Sequence, residues 1–375
     1  MVFAARDVTN AEAVFGREGV AILQAPIALQ KAKDPYKVQY IYSQLMHNNG
    51  FSDAQDLLAR VKAWLHTFSY VRPDVAIFDH SPTALVAARA LKGKKIISGS
   101  GFLVPPPGRP LPKMRYWEKS DGKELVKAEV GVVERINRVL AAMRAPQLQA
   151  MEDLFKADGQ FLLGFKDLDH YPQRKEGNYL GIFPTANYGV APKWPAGKGP
   201  KLFCYLHKFK TMPALFQAIN KLGARALIYA PDVPDEAIKK FTSPRIVFSR
   251  QPLDLAKAGA ECDAAITNGT YATTCAMLMA GKPVLMIPQN LERIMTARRV
   301  IAAGAGVGVQ PNQPKVFQER LKTLLTNPRV REGARALAKR WQGMSQAQQT
   351  ERMLAEIERL APQGAPAAPA EAVAH

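Results

Sequence analysis

Short, strand-like apolar runs recur along the chain at Val20 to Leu23, Val75 to Phe78, Lys95 to Ile97, Phe161 to Leu163, Leu202 to Tyr205, Ala226 to Tyr229, Ile246 to Phe248, Ala264 to Ile266 and Val284 to Ile287. At that length and composition each is expected to be a strand. Between many of them apolar residues return every three or four positions, as in Met212 to Leu222 and Thr296 to Ala303, the period of a helix with one buried face. Strands alternating with helices imply parallel sheets covered on both faces, a doubly wound α/β class. A helical reading also runs from Lys315 to Leu360.

Breaks in the pattern suggest where the chain divides. Tyr188 to Pro200 crowds three prolines and three glycines around Trp194, immediately before a regular series of strands and helices. The expected domains are therefore 1–195 and 196–360, and Ala361 to His375, Ala- and Pro-rich without an apolar period, is expected to be a disordered tail. The stretch PPPGRPLP from Pro105 to Pro112 follows a strand and a Gly-rich turn inside the first domain, and reads as a loop rather than as a polyproline ligand.

A chain of 375 residues with 47% apolar residues can bury two cores, which agrees with that division. Lys and Arg outnumber Asp and Glu by 51 to 32, a net charge of +19 that favours phosphate-bearing ligands, polyanions or anionic membrane surfaces. The basic residues are scattered and match no zinc-finger or helix-turn-helix spacing, so nucleic acid is not an expected partner. Cys204, Cys262 and Cys275 form no CxxC pair and read as reduced thiols. His47, His66, His170 and His207 have no carboxylate or cysteine at ligand spacing, so no metal site is expected. The most apolar stretch, Met277 to Pro288, is too short to cross a bilayer, and Met1 to Val8 lacks the make-up of a secretory signal. The expected location is the cytoplasm, with peripheral contact at the inner membrane face left open by the charge.

The stretch that carries chemistry begins at Cys262. A strand ends at Ile266 or Thr267, a polar turn Asn268-Gly269-Thr270 follows, then a helix from about Tyr271 to Met279, then the strand Val284 to Ile287. That order aims free backbone N–H groups and the positive end of a helix at the carboxyl edge of a parallel sheet, where such folds hold phosphate. Thr270, Thr273 and Thr274 add hydroxyl groups, although Ser, Thr, Asn and Gly also open ordinary helices.

Asp263 to Pro288 followed by Glu292 resembles the donor-binding signature of the GT-B glycosyltransferases related to UDP-glucuronosyltransferases and to bacterial macrolide and plant natural-product transferases. The matching elements are Asn268-Gly269, Gly281-Lys282-Pro283, Pro288 and Glu292, with Ala297-Arg298-Arg299-Val300 and Gly304-Ala305-Gly306 resembling the sequel. The resemblance implies two Rossmann-like doubly wound domains facing a cleft. It also implies a UDP- or dTDP-sugar as substrate with no bound cofactor or catalytic metal. Donor phosphates are then expected at Asn268, Gly269, Thr270, Thr273 and Thr274, the base beside Arg250, Gln251, Pro252 and Leu253, and the sugar at Gln289, Glu292 and Arg293. Four positions depart from the signature: its His is Asn268, its second Gly is Thr270, its ribose-binding Glu is Ala276, and its closing Gln is Arg293.

Upstream, Arg72-Pro73-Asp74 and the run Val75 to Asp79, with the helix and strand that follow, resemble the acceptor domain of the same family. Asp79 then corresponds to the carboxylate that orients a catalytic His, but no residue matches that His, and Met1 to Val8 resembles the second strand of the domain. An incomplete first domain is the expectation, with His80 as the substitute base. The loop Gly101 to Pro112 and the region Met143 to Leu154 are expected to line the site of a small-molecule or lipid acceptor. The leading reading is hexose transfer from a nucleotide-diphosphate sugar to a hydroxyl group. A catalytically impaired nucleotide-sugar-binding protein and a nucleotide-sugar epimerase are the alternatives.

Overall fold

The computed structural model describes residues 1–182, 189–344 and 346–361. Strand pairing and packing divide them into two units. Of the described residues, the first contains Met1–Gly99, Leu103–Phe161 and 350–361, and the second contains Ser100–Phe102 and those between Leu162 and Gln349. The expected tail from 362 and Tyr188 of the expected linker lie outside the described residues.

In the first unit β1 (Val2–Ala5), α1 (Val8–Phe15) and β2 (Ala21–Gln24) form a parallel pair with its connecting helix, and α2 (Tyr42–Met46) and α3 (Ala54–Val71) follow. A separate sheet holds β3 (Val75–Asp79), β4 (Lys94–Gly99) and β5 (Gly159–Leu162), with α4 (Pro82–Ala87) after β3 and α5 (Gly122–Ala142) after β4. Helix α5 forms because Leu125, Ala128, Val132, Ile136 and Val139 fall on one buried stripe. Its start is fixed by Asp121, whose side chain accepts from the Lys123 N–H. The proline-rich loop is tied down rather than displayed: Glu152 accepts from the Gly108 N–H at 2.9 Å and from Arg109 Nε at 2.7 Å, and Glu129 accepts from the Leu111 N–H at 2.9 Å.

The second unit is built on six strands, β6 (Lys201–Tyr205), β7 (Arg225–Tyr229), β8 (Ile246–Ser249), β9 (Ala264–Thr267), β10 (Val284–Met286) and β11 (Gly306–Gly308). They pair in the order β11-β10-β9-β6-β7-β8, every neighbour parallel. Alternate residues enter different cores. Leu202, Cys204, Ile228, Ile266 and Leu285 pack with α6 (Met212–Lys221) on one face. Phe203, Leu227, Ala265, Val284 and Met286 pack with residues of α8 (Leu255–Glu261) and α9 (Tyr271–Met279) on the other. Fully burying such a side chain is worth about 1.5–3 kcal/mol, so the sheet has no tolerance for a polar residue at these positions. The three cysteines are free and buried.

Helix α7 (Asp235–Phe241) lies between β7 and β8, and α10 (Leu291–Ala302) between β10 and β11. The single helical reading after Lys315 resolves into α11 (Phe317–Thr326), α12 (Pro328–Arg340) and α13 (Gln346–Leu360). Pro328 explains the first break, since proline suits the first turn of a helix and Asn327 caps it by accepting from the Arg329 N–H. The division differs in detail from the junction expected at 195/196. Phe165, Leu168 and Ile182 are buried in the core beneath α9, which draws the chain from Leu162 onward into the second unit. No helix among the described residues is long and apolar enough to cross a membrane.

Candidate functional site

All six strands of the second sheet run the same way, so the segments that leave β6, β7, β8, β9 and β10 emerge at one edge. The chain adds β7 and β8 on one side of β6, then returns to place β9 on the other. The crevice outside the carboxyl ends of β6 and β9 is therefore the topological switch point, the position where open α/β sheets bind ligands. Asn268 occupies it, its backbone N–H donating to the Tyr205 carbonyl at 3.0 Å.

The turn is organised by the Asn268 side chain. Its Oδ1 accepts from the Thr270 N–H at 2.9 Å and from the Thr270 hydroxyl. The residue is 1% exposed, and its Nδ2 has no hydrogen-bond partner. A buried amide N–H without a partner costs about 1–3 kcal/mol, so the turn carries an unmet demand for an acceptor. Directly after it α9 opens without a side-chain cap, which leaves the first backbone N–H groups of the helix for another acceptor. Thr273 is buried, and Thr274 is fully buried with its hydroxyl 3.1 Å from that of Thr267, so this group holds α9 to the end of β9.

Gly269 has φ +87°, and a Cβ there would lie 3.1 Å from both Cβ and the carbonyl oxygen of Arg293. The turn thus seats against the first turn of α10, where Asn290 accepts from the Arg293 N–H at 3.0 Å. Glu292 is half-buried, and that burial raises its pKa against the opposing effect of Arg293. Gln289 donates to the Lys208 carbonyl at 3.0 Å, which joins the end of β10 to the segment after β6. The structure therefore gathers Asn268, Gly269, Thr270, Gln289, Glu292 and Arg293 at one edge of the sheet.

Lys208 was not expected there from sequence. It follows the first strand of a doubly wound unit, the one signal that marks such a position in advance, and its N–H donates to both oxygens of Asp232 at 3.1 Å. The loop after β8 is anchored through Pro252, whose carbonyl accepts from the Val190 N–H at 2.8 Å, and through buried Leu253. Arg250 and Gln251 are exposed, and Arg250 pairs with Asp235.

In the first unit Asp79 ends β3 opposite Ser98, and His80 follows with φ +44°, a left-handed conformation disfavoured for any residue with a Cβ. Each is open to solvent on one side. Protein packed beneath them desolvates both enough to raise the pKa of Asp79 and lower that of His80. The Tyr42 ring meets His80 edge-on with centroids 6.3 Å apart. Strain at the edge of a parallel sheet, beside a carboxylate, is a recurrent feature of functional sites.

No protein-family model matches the sequence, and no curated protein does. Solved structures do. The calicheamicin glycosyltransferase CalG4 matches with a TM-score of 0.70 at 17% identity, over 96% of this chain and 91% of its own. The glycosyltransferase VinC, in complex with dTDP, matches with a TM-score of 0.67 at 14% identity, over 93% and 90%. The spinosyn rhamnosyltransferase SpnG, complexed with spinosyn aglycone, matches with a TM-score of 0.65 at 17% identity, over 94% and 91%. The fold is GT-B. In GT-B terms the six-stranded unit is the second Rossmann-like domain, and it carries the Asn268 turn at its switch point.

Proposed function

We propose that the chain is a glycosyltransferase that moves a hexose from a nucleotide-diphosphate sugar, with uridine or thymidine as nucleoside, to a hydroxyl group of a small-molecule or lipid acceptor. The observation that carries this reading is the buried, unpartnered Asn268 Nδ2 beside the uncapped start of α9. A diphosphate supplies the acceptor oxygens that both demand, and its charge is favoured at the positive end of the helix. Support for the ligand class comes from VinC, which is crystallised with dTDP, and for the acceptor class from SpnG, which is crystallised with its aglycone.

In this reading Asn268, Gly269 and Thr270 hold the diphosphate, Glu292 and Arg293 contact the sugar, and the Arg250 to Leu253 loop faces the base. The acceptor oxygen forms a bond to the anomeric carbon as the bond from that carbon to the phosphate oxygen breaks. The proton of the acceptor passes to His80, and the negative charge gathered on the leaving diphosphate is met by the N–H groups of α9. Acceptor binding is assigned to the loop from Leu103 to Pro112 and the segment from Met143 to Leu154, which Glu152 ties together.

One observation favours binding without turnover: no residue matches the catalytic His of the resembled family beside Asp79, while Ala276, on α9, offers only a methyl group where the signature has its ribose-binding carboxylate. Calorimetric titration with UDP and dTDP, followed by turnover of a panel of their hexose conjugates with hydroxyl acceptors, tests both readings. Binding with turnover supports transfer, and binding without it selects the second. No binding, together with unshifted Asn268 to Thr274 amide resonances, would remove both.

A further inference from the structure

A fully buried histidine lies behind the Asn268 turn. His170 has 0% exposure, and its Nδ1 accepts from the Phe102 N–H at 3.1 Å, which places the ring proton on Nε2. Nε2 lies 3.1 Å from Thr296 Oγ1 and donates to it, and the Thr296 hydroxyl in turn donates to the Glu292 carbonyl at 3.1 Å. The face of the imidazole rests on the Tyr271 ring, with centroids 5.0 Å apart and planes 32° from parallel. Tyr271 is the first residue of α9, and its hydroxyl accepts from the Phe165 N–H at 3.0 Å.

The segment that presents this ring is itself locked. Asp169 accepts from Arg174 Nε, from the Tyr171 N–H and from the Tyr179 hydroxyl, each at 2.7 Å. A Cβ on Gly101 would come within 2.9 Å of Asp169 Oδ1, so the strand-end segment 100–102 sits directly against it. His170 therefore touches the first residue of α9, Tyr271, and reaches the opening turn of α10 through the bond from Thr296 to the Glu292 carbonyl, from a segment held by three hydrogen bonds to Asp169.

We propose that His170 is a positioning residue that sets the separation of the two helix starts carrying Asn268 to Thr270 and Glu292 to Arg293. The proposal rests on the diphosphate reading of that turn. Its physical basis is that fixed N–H donors serve a ligand only when held within about 0.5 Å of the productive geometry, a tolerance that packing and hydrogen bonds behind the site must supply. Thr296 transmits the position, because its hydroxyl links the imidazole to the backbone of Glu292.

Calorimetry of the whole chain with UDP and dTDP, beside melting temperatures, tests it. Thr296→Val keeps the shape of the side chain and removes the hydroxyl, and is expected to weaken binding about fivefold, the effect of one lost hydrogen bond. Thr296→Ser restores the hydroxyl and is expected to bind within about twofold of the unaltered chain. His170→Gln, which drops the ring face against Tyr271, is expected to weaken binding as well and serves if Thr296→Val does not fold. Lower melting temperatures in Thr296→Val and His170→Gln with unchanged dissociation constants would make the cluster purely structural and overturn the proposal. Absence of binding by the unaltered chain would remove the diphosphate reading itself, and the proposal with it.

Discussion

Gly269 lies against Arg293 so closely that a side chain on the glycine would sit 3.1 Å from the Cβ of the arginine, and its φ of +87° is one that residues with a Cβ rarely adopt. Two penalties therefore meet in Gly269→Ala, backbone strain of about 1–2 kcal/mol and displacement of the first turn of α10. Gly304 separates them, since its φ is +69° and nothing lies within 4 Å of its would-be Cβ. Gly304→Ala is expected to cost about 1 kcal/mol of unfolding free energy in urea and to leave dTDP binding unchanged. Gly269→Ala should cost more and weaken dTDP. Equal costs and equal affinities would show that the contact with Arg293 has no role.

Asn268→Asp tests the unpartnered amide. The carboxylate still accepts from Thr270, but an anion replaces the donor offered to a diphosphate. At pH 8 the affinity for dTDP, relative to the unaltered chain, is expected to fall at least about tenfold, the scale of a lost hydrogen bond to a charged group. Burial at 1% exposure pushes the new carboxyl upward in pKa, so acid should protonate it and return an O–H donor. The affinity ratio is expected to recover towards pH 5. A ratio independent of pH would mean that this side chain does not face the ligand.

Much of this site was legible because its signals are local. Asn268-Gly269-Thr270 marks the turn, the apolar runs on either side mark β9 and β10, and α9 spans the residues that its spacing implies. The missing parts depend on distance. β11 is three residues, Gly306–Gly308, two of them glycine, and becomes a strand only because β10 pairs with it. His170 draws its role from Thr296, 126 residues away, and from Phe102, 68 away, so no window of sequence contains the cluster. The crossover at 161/162 follows from the burial of Phe165 and Leu168 against α9, which a run of prolines near 195 does not reveal.

His80 in the left-handed conformation leads to a prediction about rate. If it is the base, His80→Ala is expected to lower turnover about a hundredfold or more, with donor affinity unchanged. The base works only when neutral, so kcat/KM should rise with pH through the His80 pKa. Partial desolvation lowers that pKa, which places the acid limb below 6.5. Steady-state rates across pH 4.5 to 8 check this, and a limb that persists in His80→Ala would assign it to another group.

His170 links the packing of the second unit to pH. Complete burial lowers its pKa from 6.5 to about 4, with Arg174 and Arg299 acting in the same direction and Asp169 against it. The folded chain thus keeps the imidazole neutral across a range in which the unfolded chain protonates it. Unfolding binds a proton there, so stability is fully present above pH 6.5 and declines as pH falls towards 4. Below that the folded form is protonated too, and the decline from this group stops. The interval corresponds to a loss on the order of 3 kcal/mol. His170→Gln has no such proton to bind, so it should be less stable than the unaltered chain near pH 8 and approach or overtake it near pH 4.5. Urea unfolding of both proteins across that range measures the difference. Parallel curves would show that the ring takes up its proton at the same pH in the folded and unfolded chain, so that burial does not hold it neutral, and the acceptor role of Nδ1 towards Phe102 would have to be reassigned.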